Sequence, residues 1–123
     1  MEEIEAGTEF LSRLNDYHPV RAACWLREQE DEERYLYVAL DGLSNANVDV
    51  AYGEILGITG AMKDHYLDPF RVKLISTEDS VARAVQDVYR HYPGRIPASY
   101  SGRVFAGRAV AEVYIYPEVQ PNL

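Results

Sequence analysis

The chain has one cysteine, Cys24, in 123 residues. A lone thiol forms no internal disulfide, so nothing in the covalent chemistry staples this fold, and a reducing compartment is the natural setting. Long apolar runs are missing too. No stretch approaches the roughly 20 residues that a membrane-spanning helix needs. The N-terminus, Met1-Glu2-Glu3-Ile4-Glu5, is acidic where a secretory leader would be basic and then apolar. Together these absences predict a soluble, cytoplasmic protein.

Basic residues are in short supply as well. Lys and Arg number 12 against 20 acids, a formal net charge of -8. That balance opposes contact with nucleic acid or an anionic membrane, and neither is expected as a partner. The charges are also segregated. Glu2, Glu3, Glu5, Glu9 and the run Glu28 to Glu33 crowd the first third, whereas Arg71, Lys73, Arg83, Arg90, Arg95, Arg103 and Arg108 dominate the stretch from 71 to 108. The two sets are expected to neutralise one another within the fold or across a dimer.

No recognisable site chemistry appears. His18, His65 and His91 lack metal-pair spacing, and the acids of the Glu28–Glu33 run lack fixed convergent geometry, so no metal and no cofactor is expected. Gly53, Gly57 and Gly60 match no phosphate-loop fingerprint. No serine sits in a nucleophile-elbow pattern. Cys24 lies in an apolar run, Ala22 to Leu26, which reads as a buried small hydrophobe and not a nucleophile.

What is present is enough apolar residue, 47% of the chain, for one core of ordinary domain size. Phe10, Leu11 and Leu14 fall at helical spacing and predict a helix that His18-Pro19 ends. Val20 to Glu28 alternates as a strand. A solvated acidic turn links it to a second strand, Tyr35 to Leu40, making a hairpin. Val48, Ala51, Tyr52, Ile55, Ile58 and Met62 form a helical stripe. The glycines within that helix predict close approach to the sheet or to another helix. A third strand over Phe70 to Ser76, a helix to about His91, an apolar pattern resuming at Val104-Phe105 as a fourth strand, a turn at Ala106-Gly107-Arg108 and a last strand from Ala109 to Tyr116 complete the pattern.

The expected fold is therefore α+β, in the order α-β-β-α-β-α-β-β, with a mainly antiparallel sheet and helices packed on one face. Residues 1–116 form a single domain, and 117–123 a C-terminal tail.

Two functional expectations follow. The ten tyrosines supply rings with an apolar body and a polar tip. Tyr35 and Tyr37 share one strand face, as do Tyr114 and Tyr116. If those strands pair, these rings, with Trp25, make an aromatic contact surface. On this reading the protein is a non-catalytic interaction module that self-associates as a homodimer, or takes another protein as partner. The alternative is a small enzyme or a binder of anionic metabolites. It uses the segment from His91 to Arg103, which reads as a long loop presenting His91, Arg95, Ser99, Tyr100 and Arg103.

Overall fold

A computed structural model of the chain describes residues 2–62, 67–91 and 98–117, with the backbone alone for Glu2 and 98–103. Its elements are α1 (Glu2–Asn15), β1 (Val20–Glu28), β2 (Tyr35–Leu40), α2 (Val48–Met62), a short 3-10 turn (Pro69–Arg71), β3 (Val72–Ser76), α3 (Ser80–His91), β4 (Ala98–Phe105) and β5 (Arg108–Ile115). This is the expected α+β class and element order. The region proposed as a tail, 117–123, lies outside the described residues apart from Pro117.

The five strands lie in the order β3-β2-β1-β5-β4. Every pairing is antiparallel except β2 with β3, which is parallel, so the sheet is mixed. The parallel pair follows from connectivity. A chain that leaves β2, runs through a helix and returns alongside it must travel in the same direction. The link from β4 to β5 is a two-residue hairpin, with Ala106 (φ 55°) and Gly107 (φ 77°) both in the left-handed region.

The helices cover both faces, not one. α1 and α2 enclose one cluster with Phe10, Leu14, Trp25, Leu36, Val38, Ile55 and Tyr116. α3 encloses the other with Cys24, Leu26, Ala39, Val81, Val85 and Ile115. The physical cause is visible in β1, the central strand, which is buried on both sides from Ala22 to Leu26. A strand apolar on both faces requires cover on both. α3 supplies the second cover because it carries the chain from β3, at one edge, to β4, at the other. Burial raises the Cys24 thiol to about 12, so it stays protonated and inert.

The β1–β2 register shifts between Val20 and Ala22, a bulge at Arg21. Strict alternation would put Val20 and Ala22 on the same face. Instead Val20 joins the α1/α2 core and Ala22 the α3 core.

Candidate interaction surface

The five aromatic residues that sequence reasoning grouped are not brought onto one surface. β1 separates β2 from β5. Trp25 sits opposite both Leu36 and Tyr114 in the ladders, so Tyr114 shares its face, while Tyr35 and Tyr37 alternate with Leu36 and take the other face. Trp25, Tyr37 and Tyr116 are buried; Tyr35 and Tyr114 are half-buried.

Tyr116 belongs to the core. Its phenol oxygen accepts from Trp25 Nε1 at 2.7 Å and donates to the Ile4 carbonyl at 2.8 Å. Burial pushes its hydroxyl well above the ordinary tyrosine range, although the Trp25 hydrogen bond works in the opposite direction. Tyr114 meets it edge-on at 5.1 Å. Across the sheet, Lys73 lies over the Tyr35 ring at 4.3 Å and the Tyr37 ring at 5.4 Å. Arg108 Nη1 donates to Tyr37 Oη and to Glu28 Oε1, both at 3.3 Å. These rings are occupied by contacts within the chain.

The proposed 91–103 loop is shorter than its sequence implied. His91 closes α3, with Nδ1 2.9 Å from the Asp87 carbonyl, and β4 begins at Ala98. Ser99, Tyr100 and Arg103 are ladder residues opposite Tyr114, Val113 and Val110. The run Ser-Tyr-Ser-Gly carries no apolar alternation, so only pairing with β5 makes it a strand. Arg95 lies outside the described residues.

The segregated charges do meet within the chain. Glu112 accepts from both Arg34 and Arg27; Arg34 reaches Glu3 at 2.8 Å; Arg71 reaches Glu3 at 3.6 Å and Glu33 at 3.4 Å. Three cations and three carboxylates thus tie the start of α1 to one end of the sheet. Burial acts to raise the Glu112 carboxyl, yet hydrogen bonds from Arg34 and Arg27 outweigh it and hold the group below the usual carboxylate range.

The surface that stands out is the outer side of α2, which sequence reasoning passed over. Ala51, Ile55 and Ile58 face the core. The opposite side presents Val50, Gly53, Leu56, Gly57, Gly60 and Ala61, with Asp49 at its start, all exposed. Val50 keeps 62% of its surface in water and Leu56 54%. The glycines do not serve close packing within the chain: a Cβ added at Gly53, Gly57 or Gly60 would meet nothing within 4 Å. They leave the helix backbone open to whatever approaches from outside. The signal was available in the sequence. Asp49 and Glu54 are the only charges in the helix, which is therefore apolar around most of its circumference, and such a helix is ordinarily buried on all sides.

Beside this face the end of α1 and α2 enclose a groove of about 310 Å³, lined by Arg13, Asp16, Tyr17, Glu54, Gly57, Ile58 and Ala61. Tyr17 forms one wall and is 63% exposed. His18 Nε2, just beyond α1, lies 2.9 Å from Glu54 Oε2 of α2, a close approach that lacks hydrogen-bond geometry.

Comparison with protein-family models, curated proteins and solved structures finds no match to this chain. No helix among the described residues is long and apolar enough to cross a membrane.

Proposed function

We propose that the chain is a non-catalytic interaction module that self-associates, and that the outer face of α2 is the contact. The observation that carries this reading is the exposure of Val50 and Leu56 on a helix side otherwise made of glycine and alanine. In water such a side loses free energy by being covered, at about 25 cal/mol per Å² of apolar surface removed. A second copy is the occupant that fits the electrostatics. The protein carries -8 overall, so two copies repel wherever their ordinary surfaces meet. The α2 side concentrates apolar surface where charge is thinnest, and depletion of charge is what distinguishes the centre of an interface. The neighbouring groove bears both signs, Arg13 against Asp16 and Glu54, as a two-fold, self-complementary contact requires. The glycines let two helix axes approach closely.

One helix face of about 22 Å, at roughly 1.5 Å per residue, makes a small interface, so the dimer is dynamic and concentration-dependent. Sedimentation velocity over a hundredfold concentration range tests it. The wild type should shift from monomer towards dimer, more readily at higher salt because the repulsion is screened. Leu56→Glu should remain monomeric with an unchanged circular dichroism spectrum. A wild type that stays strictly monomeric at the highest concentration, or a Leu56→Glu variant that dimerises as well as wild type, overturns the proposal.

A further inference from the structure

A second concave feature lies on the α3 side of the sheet, away from α2's outer face. It is a groove of about 270 Å³ lined by Arg21, Gln86, Tyr89 and Arg90. Its residues come together through two separate devices. On α3, Gln86, Tyr89 and Arg90 stand at i, i+3 and i+4 and so share one side of the helix. From β1, Arg21 is the residue displaced by the bulge. Regular alternation back from Trp25 and Ala23 would turn position 21 toward the α1/α2 core. The bulge gives that place to Val20 and swings the guanidinium to the α3 side, a re-aiming of the kind bulges produce beside functional sites.

Among the described residues the lining thus holds two guanidinium groups and no carboxylate, in a protein where acids outnumber bases. Among the described residues each arginine has one carboxylate at the margin: Arg21 Nη2 lies 3.1 Å from Asp41 Oδ2, and Arg90 Nη2 lies 3.2 Å from Asp87 Oδ1. All four side chains are more than half exposed, and exposed pairs of this kind hold weakly. A guanidinium has five N–H donors, so one carboxylate contact leaves donors for a ligand. The other two walls are fixed. Gln86 Nε2 donates to the Thr77 carbonyl at 3.2 Å, and the Tyr89 hydroxyl donates to the Tyr116 carbonyl at 2.8 Å.

We propose that this groove binds a small tetrahedral oxyanion, a phosphate group free or on a small ester, bridged between Arg21 and Arg90. Two planar forks that line one groove from different elements match the several acceptor oxygens of a phosphate. The volume lies below the roughly 300–1,000 Å³ of sites for drug-sized ligands, which suits a group of this size. The site uses none of the α2 surface, so it stands or falls independently of self-association.

Inorganic phosphate is the probe. In titrations against chloride at matched ionic strength, followed by ¹H–¹⁵N NMR, phosphate should move the signals of Arg21, Gln86, Tyr89 and Arg90 together along one saturating curve. It should also raise the melting temperature more than chloride does. Arg21→Ala and Arg90→Ala should each weaken phosphate binding at least tenfold. Arg90→Lys, which keeps the charge and loses the fork, should fall between wild type and Arg90→Ala. Both arginines are exposed, so the variants should keep the wild-type spectrum. Equal effects of phosphate and chloride, or full phosphate affinity in Arg21→Ala, overturn the proposal.

Discussion

Trp25 and Tyr116, 91 positions apart, meet through a single 2.7 Å hydrogen bond from the indole N–H to the phenol oxygen, which in turn donates to the backbone of α1 at Ile4. This chain of two bonds joins the central strand, the end of β5 and the first helix. Gly7 completes the joint, because a Cβ there would overlap the Tyr116 hydroxyl.

Removing that hydroxyl by Tyr116→Phe leaves the buried Trp25 N–H without its acceptor, whereas the Ile4 carbonyl keeps the Thr8 hydroxyl as a donor. The expected loss is about 1–3 kcal/mol, the usual penalty for orphaning buried polar groups. Gly7→Ala should destabilise by forcing α1 off the sheet, and should do so less in the Tyr116→Phe background, where the most crowded atom is gone. Urea denaturation of the four proteins in this cycle measures the coupling. Additive losses would show that helix and phenol do not touch.

The Glu112 carboxyl sits below its unfolded value in the folded chain. A carboxylate depressed by folding contributes stability that is present above its unfolded pKa and lost as pH falls through the folded one. Stability should therefore decline on acidification from pH 5 downward. Glu112→Gln should flatten that decline by a modest amount, since the side chain keeps 36% of its surface in water. Urea midpoints at pH 7, 5 and 3 supply the comparison, and added salt should shrink the difference between the two proteins.

Gly53 lies mid-helix with open space where a side chain would stand. Gly53→Ala should raise the stability of the monomer by up to about 1 kcal/mol, through helix propensity and a less flexible unfolded chain. The same methyl on the outer face should hold two α2 helices further apart and weaken self-association. Stability read at low concentration and sedimentation read at high concentration should move in opposite directions.

At the β4–β5 hairpin, Ala106 adopts φ 55°, a conformation that disfavours a residue with an ordinary Cβ. Ala106→Asn supplies a residue suited to this turn and should stabilise by about 0.5–1 kcal/mol. Thermal unfolding of the variant checks the sign.

Much of the architecture was legible in residue order. The 3-to-4 spacing of Phe10, Leu11 and Leu14 marked α1, the β-favouring run Tyr35 to Leu40 marked β2, and the stripe from Val48 to Met62 marked α2. At the start of α3, Asp79 Oδ1 accepts from the Val81 N–H at 2.9 Å. The first part of β4 was hidden because Ser99 to Gly102 has no apolar alternation, and its strand character comes from the ladder with β5. The bulge at Arg21 was equally hidden, since it exists only as a mismatch between two paired strands. The tyrosine surface failed for a related reason. Alternation told which rings share a strand face, but not that β1 lies between the two strands or that their faces are opposite.

What the sequence by itself determined were the local choices, helix or strand, and where each one stops. Those depend on the spacing of apolar side chains and on the backbone limits of proline and glycine, both written in nearest-neighbour order. Only the tertiary structure decided which strands adjoin, which face each helix covers, and that the outer side of α2 and the Arg21–Arg90 groove are left open. Those outcomes depend on pairings between residues far apart in the chain, where cover for one surface is taken from whatever else remains to be buried.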